Sequence, residues 1–343
     1  MFLAATPEPS RLGDVLMAFL SIVFEGAPYI LIGTLLSGFI DAFLPAKFID
    51  RVLPRNKVLS TLMAGFLGLV FPVCECAIVP VIRRLVQKGL PLGCAVTYML
   101  AAPIVNPIVA VSTATAFKES VKLFQWSDIS HPALLVEHLV ASAPMTLSRL
   151  SLGYAVAVLA GLLVIFFKPS QILRSKIANS IDQANAEAEA DTVGHTPVTA
   201  TFDTKLVSAM RTAMRDFLDT GMYFAVGVMI TSVFNTQVNQ AILDRVAGNS
   251  LIATPSIMLL AVVLSLCSTS DAFIAAPMAS FSFAAKLAFL VYGPMMDIKL
   301  MFMYSGVFKR RIVIGMVFGL LIVIGALSGP WSQFIQSLAT SKP

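Results

Sequence analysis

"FPVCECAIVPVIRRLVQKGLPLG", residues 71–93, follows an apolar run that opens like a membrane helix, yet it sets two cysteines around a glutamate and continues into two arginines and a lysine. Either the chain crosses the bilayer here and carries those cations to the far side, or it dips in and returns them to the side it left. The choice decides the topology of everything that follows.

The surroundings are those of an integral membrane protein. Of 343 residues 57% are hydrophobic and only 13% charged, with a mean hydropathy of +0.84, far from the balance of soluble domains. Apolar runs at 14–44, 91–117, 149–167, 206–235, 287–308 and 312–335 have the length to cross ~30 Å of hydrocarbon as helices rather than as barrel strands. Two more, 58–82 and 254–285, carry the unusual polar residues. The opening "MFLAATPEPSRLGDV" lacks the basic region and apolar core of a cleaved signal peptide, so insertion is expected to begin with the first helix. The net charge of +5 reads as loops held on the cytoplasmic side and implies no nucleic-acid partner. Cys74, Cys76, Cys94 and Cys267 all lie in apolar segments, which argues against a secreted disulfide framework. Residues 169–204 are poor in large apolar residues and rich in Ala, Ser, Thr, Asn and acids, as in a solvated, partly disordered connector.

That connector separates two halves with common landmarks. Tyr29 and Gly33 match Tyr223 and Gly227 at an offset of 194, Cys74 matches Cys267 at 193, and Pro103, Asn106, Phe117 and Lys118 match Pro294, Asp297, Phe308 and Lys309 at 191. The shared order points to a duplication, with residues 1–168 and 205–343 as the two repeats. Lys and Arg then choose the topology. If all eight apolar segments span, the two sides receive 12 and 11 basic residues; if 58–88 and 254–285 each re-enter, they receive 16 and 7. The second arrangement satisfies the positive-inside rule. It predicts an all-α polytopic protein of two inverted repeats, each with three spanning helices and one re-entrant hairpin, a cytoplasmic linker at 169–204, and both termini outside. In such folds the site lies near the midplane, where irregular backbone is tolerated because it lines a cavity.

Prolines mark where the helices are expected to break: Pro72 and Pro80 flank the cysteine motif, Pro103 and Pro107 flank Asn106, and Pro294 precedes Asp297, while "CSTSDAF" at 267–273 is a run of small polar residues. Proline removes a backbone donor and frees a carbonyl that substrate, water or a side chain can satisfy. Glu75, Asp271 and Asp297 fall in apolar segments, where a charge costs about 2.5–3.5 kcal/mol on insertion scales, so each should face a cavity or a partner. They are the candidate proton-coupling groups; the alternative is structural neutralisation by Lys299, Lys286, Arg83 or Arg84. Cys74 and Cys76, two residues apart, would point to different faces of a regular helix. In an unwound turn they can converge, with Cys267 as a third sulfur, on a soft species such as Cu(I), Zn(II) or trivalent arsenic. The alternative is that they pack as small apolar residues. His131, His138 and His195 fall in loops or the linker, which disfavours a histidine-built metal site. GxxxxGK[ST], HExxH and a Ser/His/Asp order are absent, so neither an enzyme activity nor a cofactor is expected.

"PVCECAIVPVIRRLVQKGLPLGCAVTYMLAAPIVNPIVAVSTATAF" and "CSTSDAFIAAPMASFSFAAKLAFLVYGPMMDIKLMFMYSGVF" resemble the two signature regions of the bacterial DUF318 permease family, which includes the ArsP-type organoarsenical exporters. The resemblance implies a multi-pass protein of the bacterial cytoplasmic membrane that effluxes a trivalent organoarsenical, or copper or zinc, with Cys74 and Cys76 as the metalloid contact. Glu75 stands where Ser is common in the arsenical exporters, a departure that suits a cationic metal or a proton-coupled site. The expectation is therefore a proton-coupled permease exporting a thiophilic metal or metalloid. Cys74, Cys76 and Cys267 would bind the cargo, Glu75, Asp271 or Asp297 would carry protons, and Asn106 would shape the site. A permease for a small organic or sulfur-containing solute, and a membrane thiol redox protein, are the alternatives. Partners beyond cargo and lipid bilayer are not indicated, and the reading is compatible with a homo-oligomer.

Overall fold

The computed structural model describes residues 11–44, 53–54, 56–70, 73–118, 143–175, 202–235 and 250–340. Pro72, the three histidines and residues 176–201 of the connector lie outside them. Among the described residues the regular structure is helical, apart from one isolated antiparallel bridge between Leu173 and Phe308. The first half comprises α1 (Arg11–Phe43), α2 (Lys57–Gly65), α3 (Leu67–Val70), α4 (Glu75–Gln87), α5 (Leu92–Ala101), α6 (Pro107–Ala116) and α7 (Pro144–Val164). The short α8 (Pro169–Ile172) opens the connector. The second half comprises α9 (Phe202–Asn235), α10 (Ser250–Leu264), α11 (Asp271–Ala275), α12 (Phe283–Met295), α13 (Ile298–Val307) and α14 (Arg310–Thr340). The order repeats: a long helix, an interrupted pair, a broken helix, a long helix.

Five helical stretches among the described residues are long and apolar enough to cross a membrane: Leu12–Phe43, Pro144–Val164, Phe202–Phe234, Phe283–Val307 and Arg310–Leu338. The apolar run 91–117 is instead two ten-residue helices, α5 and α6. Pro103 has no N–H to donate, and Pro107 pushes the residue before it out of helical backbone. Asn106 is accordingly extended and its side chain accepts the Ile108 N–H at 2.9 Å, capping α6. Its repeat counterpart does the same: Asp297 is extended, accepts the Leu300 N–H at 2.7 Å and caps α13. An Asx cap of this kind supplies an acceptor for an orphan amide of the first turn.

Pairwise contacts fix the directions. Ser37 meets Asp216, Asp41 meets Thr212 and Phe43 meets Phe202, so the matched helices α1 and α9 pack antiparallel. Helix α4 runs with α1, since Ser37 reaches the Pro80 carbonyl and Asp41 reaches Arg84. A turn at Gly89, where φ is +98° and a side chain would be strained, reverses the chain into α5. Helix α2 runs with α5, Thr61 lying by Gly93 and Thr97 by Gly65. Residues 57–87 therefore enter and leave on one side. In the second half α10 ends at Leu264, the next residue Ser265 lies beside Thr231, and the chain turns back so that Lys286 at the start of α12 reaches the Ala276 carbonyl. This is the re-entrant arrangement that the basic residues favoured.

Matched glycines seat the two elements that bear the site. A Cβ on Gly33 would lie 2.7 Å from the Ala77 Cα on α4, and one on Gly227 would lie 2.6 Å from the Lys299 Cα on α13. Only glycine lets backbones approach this closely. The centre is formed by α5, buried throughout Gly93–Ala101, and α12, buried throughout Leu287–Met295. Outward faces carry Phe24, Met214 and Phe318, all exposed, as lipid-facing positions require.

One expected break is absent. Pro80 lies inside α4, which continues unbroken to Gln87. The disturbance is confined to the missing donor: the Cys76 carbonyl, four residues earlier, loses its helical partner. In α12, Pro294 lies one residue from the end and the interruption follows it at Met296–Asp297. Within the described opening of the connector Ile172 and Leu173 are buried while their neighbours are exposed, and residues 202–204 already belong to α9.

Candidate functional site

Cys74 is the extended N-cap of α4, with φ −75° and ψ 168°, and Glu75 and Cys76 are the first two residues of its first turn. That extended residue brings both thiols to the lining of one cavity. Across from them lies the interruption 265–270. Cys74, Glu75, Cys76, Ser265, Cys267 and Lys299 all line one small cavity of about 20 Å³, closed on the other side by Glu25, Gly26 and Tyr29 of α1 and Phe224 of α9. The cavity lies at mid-length of α1 and in the middle third of α9.

Three charges are buried here. Glu75, Asp297 and Lys299 are 1%, 0% and 3% exposed. The Lys299 ammonium donates to the Ser265 carbonyl at 2.9 Å and to Glu75 Oε1 at 3.4 Å, and stands 3.4 Å from Asp297 Oδ2. Ser268 Oγ donates to Glu75 Oε2 at 3.1 Å. At an effective dielectric of about 20, each 3.4 Å contact is worth about 5 kcal/mol, set against a desolvation penalty of several kcal/mol per ion. The ammonium thus holds two carboxylates, one from each half.

The structure gathers Cys74, Glu75, Cys76 and Cys267 in one cavity and links Asp297 to it through Lys299. Asn106 and Asp271 do not line this cavity. Asn106 is a helix cap. Asp271 is paired with Arg149 of α7 at 2.6 Å, and Arg149 also donates to Thr113 Oγ1 at 2.8 Å and to the Ser268 carbonyl at 3.0 Å. Arg149 is itself fully buried, and with it the pair ties the first half to the hairpin of the second. Arg149 escaped the sequence reading although it is the only charged residue of α7. Among the described residues no three of His, Cys, Asp and Glu are disposed as a preformed metal-ligand set.

A second, larger cavity of about 580 Å³ opens on the connector side, lined by Val79, Pro80 and Arg83 of α4, Asp216, Asp219, Thr220 and Tyr223 of α9, and residues near the α13–α14 joint. It lies about one helical turn from the first along α4 (Cys76 to Pro80) and α13 (Lys299 to Met303). The two are related by the repeat. Ile22, Glu25, Gly26 and Tyr29 line the small cavity, and Asp216, Asp219, Thr220 and Tyr223, each 194 residues later, line the large one.

Two inverted helical halves, re-entrant breaks meeting at mid-depth and a charged cavity on either side of that point define a multi-pass membrane permease. The chain belongs to the ArsP_1 family, described as predicted permeases, whose model matches residues 11–329, in agreement with the two motifs. It is 35% identical over 309 residues to the UPF0718 protein YcgR of Bacillus subtilis, covering 89% of this chain and 92% of the relative. It is 33% identical over 312 residues to a Streptococcus mutans protein named "Putative two-component membrane permease complex subunit", covering 90% and 92%. A shorter match, 31% over 84 residues, covers 24% of this chain and 22% of the UPF0718 protein MJ0584 of Methanocaldococcus jannaschii. No solved structure gives a significant match.

Proposed function

We propose that the chain is a proton-coupled exporter of a thiophilic metal or metalloid species, a trivalent organoarsenical or copper or zinc, in the bacterial cytoplasmic membrane. The observation that carries this reading is the meeting of three thiols with Glu75 and Lys299 in one cavity at the helix breaks. Soft sulfur ligands select soft cargo. With a monosubstituted trivalent arsenical, each As–S bond forms as a thiol proton leaves with an arsenic-bound hydroxyl as water. The amides of the first turn of α4 and the Lys299 ammonium place positive potential where the sulfur gains negative charge. Glu75, bonded to Lys299 and Ser268, is the carboxylate nearest that chemistry and the first candidate to relay the proton; Asp297 shares the same ammonium.

Alternating access follows from the repeat-related cavities. The connector-side cavity is wide and its counterpart narrow, the arrangement of a permease open toward the connector. Exchange of the two repeats' conformations, with 1–168 and 205–343 as the repeats and 169–204 as the cytoplasmic linker, would close one cavity and widen the other. The name of the S. mutans relative motivates the further proposal that this chain works with a second component.

Transport into everted membrane vesicles tests the reading. The wild-type chain should accumulate a trivalent phenylarsenical when a proton gradient is imposed, and C74S/C76S should lower the initial rate by at least the order of tenfold expected for loss of a first-contact ligand. Unchanged transport by the double variant would rule out the thiol site.

A further inference from the structure

We propose that the connector-side cavity is a binding site for a small polyvalent anion, held by Arg174, Lys309 and Arg310. The proposal stands apart from the thiol reading and rests on a different part of the molecule. Four cationic side chains, Arg83, Arg174, Lys309 and Arg310, line this cavity against two carboxylates, Asp216 and Asp219. Both carboxylates are already engaged. Asp216 accepts from Arg84 at 2.8 Å and from Ser37 at 2.7 Å, and Asp219 pairs with Arg83 at 3.4 Å. Arg174, Lys309 and Arg310 have no ion-pair partner among the described residues. Among the described residues the Arg174 side chain reaches only the neutral Tyr223 phenol at 3.3 Å, and that of Lys309 only the Ser170 carbonyl at 2.5 Å. Three cations without an ion-pair partner among the described residues therefore face one concavity.

Their placement is built into the backbone. The Arg174 N–H donates to the Val307 carbonyl at 3.0 Å and the Lys309 N–H to the Ile172 carbonyl at 2.9 Å, on either side of the Leu173–Phe308 bridge. Ile172, Leu173 and Phe308 are buried beneath it. The positive-inside rule accounts for basic residues near a cytoplasmic face, but it does not require them to be clamped around a cavity.

The helix that starts here adds to the potential. Lys309 and Arg310 stand at the N-terminus of the 31-residue α14, whose first turn has no acidic residue. Cations at the positive end of a helix are electrostatically misplaced, and a bound anion relieves both the dipole and the side chains. Arg311, one residue on, instead lines the apolar groove between α5, α7 and α14. It is the internal control. A volume of about 580 Å³ suits a small molecule, and three cations suit two or more phosphate or carboxylate groups. The shared chemistry could reach the cavity as a soluble anion or as the headgroup of an anionic lipid.

Calorimetric titration of the purified full-length chain with inorganic pyrophosphate tests this. In detergent the wild type should bind saturably and more weakly as salt rises. R174Q/R310Q should lose affinity by about tenfold or more, R174K/R310K should retain most of it, and R311Q should match the wild type. All variants should elute as the wild type does in gel filtration. In nanodiscs, loss of pyrophosphate binding when an anionic lipid replaces phosphatidylcholine would identify a headgroup as the occupant, and persistence would identify a soluble anion; either supports an anion site. Absence of saturable binding by the wild type, or equal weakening by R311Q, would overturn the proposal.

Discussion

K299M should abolish the proposed transport and destabilise the purified protein by about 3–5 kcal/mol, the loss expected when one partner of a buried ion pair is removed. The size follows from what the ammonium holds. Glu75 Oε1 and Asp297 Oδ2 each lie 3.4 Å from it, and both carboxylates are buried, so the variant must either keep two uncompensated charges or protonate them. Adding E75Q and D297N removes those charges and should recover most of the stability. The cap of α13 survives in that background, because Asn106 performs the same capping on α6 with an amide oxygen. Transport should stay lost in the triple variant, since the groups proposed to exchange protons are gone. Thermal unfolding and vesicle transport measured together check both halves of this expectation. Normal transport by K299M would remove Lys299 from the mechanism.

R149M is the second large effect, of similar magnitude and different meaning. Arg149 and Asp271 are both buried and pair at 2.6 Å; neither lines the thiol cavity itself. The single variant leaves Asp271 unpaired and costs about 3–5 kcal/mol, whereas R149M/D271L replaces the pair by apolar groups and should regain most of that loss. The geometry favours this recovery: Arg149 Nε and Asp271 Oδ1 are buried without a hydrogen-bond partner, so the ion pair is incompletely satisfied. Denaturation midpoints of the two single variants and the double variant, read as a cycle, decide it. A double variant as unstable as R149M alone would show that the arginine acts through Thr113 and the Ser268 carbonyl instead.

The contrast between these two charge clusters shows what a sequence can reveal. Pro103, Pro107 and Pro294 act locally, and the interruptions they promote are where the residues suggested, complete with matched Asx caps at 106 and 297. The hairpins were legible from Lys and Arg, because the cost of moving cations across a bilayer acts on the whole chain. Pro80 misled because it sits within an established helix and costs one hydrogen bond rather than the element. Lys299 stood among the four cations offered as neutralising partners, but which carboxylates it meets, and the Arg149–Asp271 pair, were hidden for another reason. Lys299 meets Glu75 across 224 residues and Arg149 meets Asp271 across 122, neither separation being that of the repeat. The residue 191 before Lys299 is Ile108, so duplication gave no hint of the cation. The convergence of Cys74, Cys76 and Cys267 was legible as a possibility from their repeat register, while the cavity that unites them depends on helix α1, whose Gly26 and Tyr29 carry no thiol chemistry.

Binding of phenylarsine oxide to the purified chain is the most direct test of the thiol cavity. In a C94A background, intact-mass analysis should find a single arsenical bridging Cys74 and Cys76 or Cys267, with a raised unfolding temperature. C74S/C76S/C267S should show neither. An arsenical retained by the triple-serine variant, or one bound without any change in unfolding temperature, would contradict the account.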